Sequence, residues 1–60
     1  MYEIQRIQQI ARREVKEHPE LANAIMESAR MSLSEIADGE SPHHELELFE
    51  SHIEELKEAT

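Results

Sequence analysis

The chain has 60 residues, 14 acidic and 6 basic, so its formal net charge is −8 with neutral histidines. It has no cysteine, which excludes disulfides, thiolate metal ligands and a cysteine nucleophile. It also lacks the ~20-residue apolar run of a membrane span and the apolar segment of a signal peptide. We therefore expect a single cytoplasmic helical domain over residues 1–60, with no membrane contact.

The first predicted element is an amphipathic helix over residues 2–17. Its apolar side chains fall within an arc of ~140° on a helical projection. They are Ile4, Ile7, Ile10, Ala11 and Val15. Pro19 cannot continue this helix cleanly, because it lacks a backbone donor and moves His18 away from the α region. We expect a sharp corner at His18-Pro19, and a strong kink is the alternative.

The second predicted helix spans residues 19–38 and has a wider apolar face, ~160°. This face consists of Leu21, Ala22, Ile25, Met26, Ala29, Leu33, Ile36 and Ala37. Its width indicates packing against more than one neighbour. Ser32 and Ser34 weaken helicity, so a break near residues 31–34 is an alternative. Gly39 is well placed to end the helix in a left-handed conformation.

The third predicted helix covers residues 42–58. Ser41 suits the N-cap and Pro42 the first helical position. The apolar residues follow a 3, 4, 3 spacing, which predicts packing along another helix at a shallow angle. This apolar seam is formed by Leu46, Phe49, Ile53 and Leu56.

The predicted fold is therefore all-α, with two to three amphipathic helices forming a bundle. Chains this short bury only ~60% of their unfolded surface, and no disulfide or metal is available to add stability. We expect homodimerisation to complete the bundle, with the apolar seam at the core or dimer contact. A monomeric three-helix bundle is the alternative. In that case Met26, Met31, Leu48 and Phe49 could instead form a groove for a partner helix.

The charges are distributed unevenly along the chain. Residues 1–18 carry four basic and three acidic side chains, whereas residues 19–60 carry two basic and eleven acidic ones. Such a balance disfavours binding to phosphates. We expect an outward acidic face that binds a protein partner, formed by Glu45, Glu47, Glu50, Glu54 and Glu55. The alternatives are a nucleic-acid-associated regulator that uses a basic edge of Arg6, Arg12 and Arg13, and an acidic mimic of DNA.

No residue pattern indicates catalysis. The string His43-His44-Glu45-Leu46 lacks the second histidine of a zinc-binding HExxH motif, and one glycine cannot make a phosphate-binding loop. The four histidines and the dense carboxylates are typical of a solvated helical surface. We therefore expect no catalytic residue, metal or cofactor, and no enzymatic activity.

The chain resembles the short acidic helical accessory proteins of temperate, lambda-like phages. The likeness rests on the Met1-Tyr2-Glu3-Ile4-Gln5 start that leads directly into an amphipathic helix, on the absence of Cys and Trp, and on the Ser41-Pro42 helix start. The resemblance implies a non-enzymatic protein that contacts host or phage proteins, for example to bias the choice between lytic growth and lysogeny. It assigns no functional residues.

Overall fold

The computed structural model describes residues 1–59, and Thr60 lies outside the described residues. It contains three α-helices: α1 (Tyr2–Glu17), α2 (Ala22–Ala37) and α3 (Pro42–Glu58). No strand occurs among residues 1–59, so the all-α prediction is confirmed. None of these helices has the length and hydrophobicity of a membrane span. The second helix starts later than predicted, because Pro19–Leu21 forms a separate 3₁₀ turn.

The chain turns a corner between α1 and α2. His18 has φ −133° and ψ 68°, so it lies outside the helical region, as expected for a residue that precedes proline. The N–H of Leu21 then donates to the carbonyl of His18 at 2.9 Å and starts the new helix. Because α2 packs back against α1, the junction is a corner and the alternative of a kinked continuous helix is wrong.

Helix α2 is continuous through residues 31–34, so the alternative of a break there is also wrong. Ser32 is buried at 7% exposure, and its burial between helices outweighs its weak helix propensity. Helix α2 ends as predicted at Gly39, which has φ +100°. The N–H of Gly39 donates to Ile36 and that of Glu40 to Glu35, each at 3.0 Å, which is the Schellman pattern.

Helix α3 begins at the predicted cap. The Oγ of Ser41 accepts a hydrogen bond from the backbone N–H of His44 at 3.4 Å, and Pro42 occupies the first helical position. Helix α3 then packs against both α1 and α2.

One apolar core lies between the three helices. Its buried members are Ile7, Ile10, Ala11, Ile25, Ala29, Leu46, Phe49 and Ile53. Phe49 is the largest of the fully buried side chains and is 1% exposed. Leu56, the last member of the apolar seam, is partly buried against this core. The seam therefore packs inside a single chain, and no second copy is needed to cover it.

Candidate functional site

Among the described residues after Tyr2, three large apolar side chains remain exposed: Met26 at 54%, Met31 at 58% and Leu48 at 49%. They do not form one patch. Met31 and Leu48 lie together along the groove between α2 and α3, with the buried ring of Phe49 beneath them. Met26 lies on the other side of α2, in the groove between α1 and α2. Helix α2 thus separates two apolar surfaces.

We call the first surface the α2/α3 groove, and small polar residues shape its floor. Ser28 and Ser32, four residues apart on α2, are 6% and 7% exposed and line this groove. Because their side chains are short, space remains between α2 and α3 above the core. The four-residue spacing of these serines on α2 could have indicated this site. From the sequence alone, however, serines within a helix indicate only a lower helix propensity.

A hydrogen bond crosses the α2/α3 groove. The Oγ of Ser28 lies 2.7 Å from Nδ1 of His52 on α3, a contact that the sequence does not predict. A hydroxyl and an imidazole at this distance could form a nucleophile–base pair. Such a pair also needs a third group that orients the ring, and no carboxylate of residues 1–59 bonds to the second ring nitrogen. We therefore assign the contact a structural role.

Glu45 also lines this groove, contrary to its predicted outward position. It is only 7% exposed. It lies four residues before Phe49 and so shares the inner side of α3. Within residues 1–59 its carboxylate has no hydrogen bond and no ion pair. Its position in the first turn of α3 gives it only the favourable field of the helix N-terminus.

The other four members of the predicted acidic face, Glu47, Glu50, Glu54 and Glu55, are exposed on the side of α3 that faces away from the core. Glu50 and Glu54 line the groove between α1 and α3. Glu47 lies 2.8 Å from Nε2 of His43, and Glu54 lies 3.3 Å from Nζ of Lys57. Glu47, Glu50 and Glu54 are spaced by three and four residues and so share one side of α3. Only Glu45 departs from the predicted face, and it lines the α2/α3 groove together with Glu35 of α2.

The predicted basic edge, in contrast, is divided between two grooves. Arg12 lines the groove between α1 and α2, beside Arg30, whereas Arg13 lines the groove between α1 and α3. Consecutive helical residues point ~100° apart, so the two arginines diverge. Arg6 is half-buried. Arg30 forms an ion pair with Glu27, and this contact raises the pKa of Arg30 and lowers that of Glu27.

A second polar cluster surrounds Glu14, which is 3% exposed at the groove between α1 and α3. One ligand atom each of Glu14, Glu17 and His18 lies within 4.8 Å of the others, a grouping that could hold a metal ion. The ammonium of Lys57, however, already lies 3.4 Å from Oε1 of Glu14. We therefore assign this cluster a structural role as an ion pair.

Comparisons with known proteins give no relative from which a site could be transferred. No protein-family model, curated protein or solved structure matches this chain at a significant level.

Proposed function

We propose that this chain is a non-enzymatic, acidic helical protein that acts in the cytoplasm by binding other proteins, in the manner of a phage accessory regulator. The observation that supports this proposal is the exposure of Met31 and Leu48 on the two sides of one groove. Single exposed apolar residues are ordinary, but adjacent ones above a groove are typical of interaction sites. No cofactor enters the proposal.

Loss of binding in matched variants tests this function. The tagged protein is used to capture partners from a lysate of the cell in which the gene is expressed, in parallel with Met31→Ser and Leu48→Ser. Glu47→Gln is the control, because Glu47 is exposed and lies outside the groove. A protein captured by the wild type and the control, but by neither groove variant, supports the function. Capture of no protein by the wild type would contradict the function, and identical capture by all four proteins would exclude the groove as the binding site.

We also propose that the protein acts as a homodimer, joined through the groove between α1 and α2. Met26 is exposed there beside Leu33, above the small buried residues Ala11 and Ala29. Small residues allow a second helix to approach closely, and a chain of this length gains stability by association.

The mass in solution tests the dimer, measured by light scattering after size exclusion. We expect twice the mass of the chain for the wild type and for Met31→Glu, and the mass of one chain for Met26→Glu. Substitution of Ile53 is unsuitable, because Ile53 lies in the core of the single chain and its loss would unfold monomer and dimer alike. A wild-type mass of one chain would exclude the dimer.

A further inference from the structure

We infer that the α2/α3 groove binds a basic amphipathic helix of a partner protein, and that a lysine or arginine of this helix pairs with Glu45. The inference rests on the proposed interaction function and specifies the chemistry of the partner. One unpaired charge, the charge of the groove rim and the shape of the groove support it.

The unpaired carboxylate of Glu45 gives the strongest support. A carboxylate that is removed from water loses hydration, and this loss is offset only by hydrogen bonds or an opposite charge. Glu14, the other deeply buried acid, follows the rule, because Lys57 and Arg13 each lie 3.4 Å from its oxygens. Glu45 is 7% exposed and has no such cation among residues 1–59, and its carboxylate oxygens keep contact with solvent, unlike the buried Oε1 of Glu14. A cation supplied by a partner would complete this site.

The charge at the rim of the α2/α3 groove also favours a positively charged partner. Glu35 of α2 also lines the groove, and none of the described residues that line the groove is a lysine or arginine. The nearest basic residue on that part of α2, Arg30, lies along the opposite groove and is paired with Glu27. The groove is therefore acidic as well as apolar, and it favours a partner with apolar and basic side chains on one face.

The shape of the groove fits a helix. Met31 and Leu48 extend from two neighbouring helices, while Ser28 and Ser32 leave a shallow channel between them. An amphipathic helix binds such a channel through apolar side chains at i, i+3 or i+4, and i+7. The flexible thioether of Met31 can adapt to the partner's side chains.

A second copy of this chain does not fit the groove as well. Two copies facing each other through this groove would place Glu35 and Glu45 against like charges. The chain's own basic helix, α1, uses its apolar face in the core and cannot offer it to a neighbour. The partner is therefore a different, basic protein segment.

Titration of the isotope-labelled protein with two synthetic peptides, followed by nuclear magnetic resonance, tests the inference. The first is a 15-residue amphipathic peptide with leucine at positions 1, 4, 8 and 11 and lysine on both flanks. The second has glutamate in place of every lysine. We expect the lysine peptide to shift the amide signals of Ser28, Met31, Leu48 and His52, and the glutamate peptide to leave them unchanged.

Two variants isolate the contribution of charge. Glu45→Gln, which keeps the shape of the side chain, should weaken binding of the lysine peptide at least about ten-fold. Glu47→Gln, an exposed acid on the same helix, should bind as the wild type does. If Glu45→Gln loses its helical circular dichroism, Glu35→Gln provides an independent test. We expect it to weaken binding of the lysine peptide less, because Glu35 is exposed.

Three results would overturn the inference: no shift with either peptide, equal binding of both peptides, or shifts confined to the groove around Met26. Any of these would leave the interaction function in place if partner capture still depends on Met31 and Leu48. If the protein captures no partner but binds the lysine peptide, the proposed function is contradicted. The preference of the groove for basic helices would still be supported.

Discussion

Nζ of Lys57, near the end of α3, lies 3.4 Å from Oε1 of Glu14, near the end of α1. The two helices therefore run in the same direction, and this contact joins their C-terminal ends. At 3.4 Å the pair acts more through charge than through a short, directed hydrogen bond. Glu14 is 3% exposed, so removing the cation would leave a buried carboxylate with Arg13 as its remaining close cation.

Replacing Lys57 should therefore destabilise the bundle more than replacing Arg13. We expect Lys57→Met to lower the urea midpoint clearly and Arg13→Met to lower it less, because the side chain of Arg13 is 53% exposed and better solvated. The double variant Glu14→Leu/Lys57→Met should recover much of the loss, since apolar residues often replace a buried ion pair without loss of stability. A double variant less stable than Lys57→Met would contradict this account.

The same contact predicts a loss of stability at high pH. The hydrogen bond to Glu54 raises the pKa of Lys57, Glu14 adds to the effect, and desolvation acts in the opposite direction. A raised pKa in the folded state means that the contribution is complete below the unfolded value, ~10.4, and disappears as the pH rises through the folded value. The urea midpoint of the wild type should therefore fall more steeply above pH ~10 than that of Lys57→Met. Parallel profiles would exclude this linkage.

Adjacent residues on α3 should differ sharply in their contribution to stability. Phe49→Ala opens a cavity in the core and should cost ~3–5 kcal/mol, which is comparable with the whole stability of a domain this small. Leu48→Ala, one residue earlier and 49% exposed, should change the free energy of unfolding by about 0.5 kcal/mol or less. Urea denaturation followed by circular dichroism measures both. Equal effects would show that the core is assigned to the wrong face of α3.

Gly39 offers a test of the turn between α2 and α3. Apart from Gly39 itself and its two chain neighbours, no heavy atom of the described residues lies within 4 Å of the position that a Cβ would occupy, so the cost of a side chain comes from the backbone angle, φ +100°. We expect Gly39→Ala to destabilise the protein by ~1 kcal/mol and Gly39→Asn to cost less, because asparagine tolerates positive φ better than alanine. Thermal denaturation of both variants is the measurement. A more stable Gly39→Ala variant would contradict the Schellman assignment.

Because the carboxylate of Glu45 is unpaired, we expect the free wild-type protein to be less stable than a variant with a neutral side chain at this position. Glu45→Gln removes the desolvation of a charge at 7% exposure and should raise the urea midpoint, although the favourable field at the start of α3 is also lost. The exposed control Glu47→Gln should change it little. A lower midpoint for Glu45→Gln would indicate that the carboxylate already contributes to the stability of the free protein.

The sequence alone was sufficient to predict the three helices and most of their ends. The Schellman pattern at Gly39 and the Ser41-Pro42 helix start depend on neighbouring residues, and the apolar seam on α3 follows directly from helical periodicity. These features are local, so the tertiary structure did not have to be known. The spacing of Leu46 and Phe49 also predicts that α3 packs in the core. It does not show whether a second copy of the chain is needed to cover the apolar seam.

Tertiary structure decided the surroundings of each side chain. Periodicity gives the angle of Glu45 on α3, but its burial depends on how closely α2 approaches, and the short side chains of Ser28 and Ser32 set the groove there. The Ser28–His52 hydrogen bond joins residues 24 positions apart, a pairing that no local pattern encodes. Arg12 and Arg13 likewise separate into different grooves only because α2 and α3 flank α1 on two sides. Helix formation depends on local spacing, whereas burial and pairing depend on contacts between distant residues.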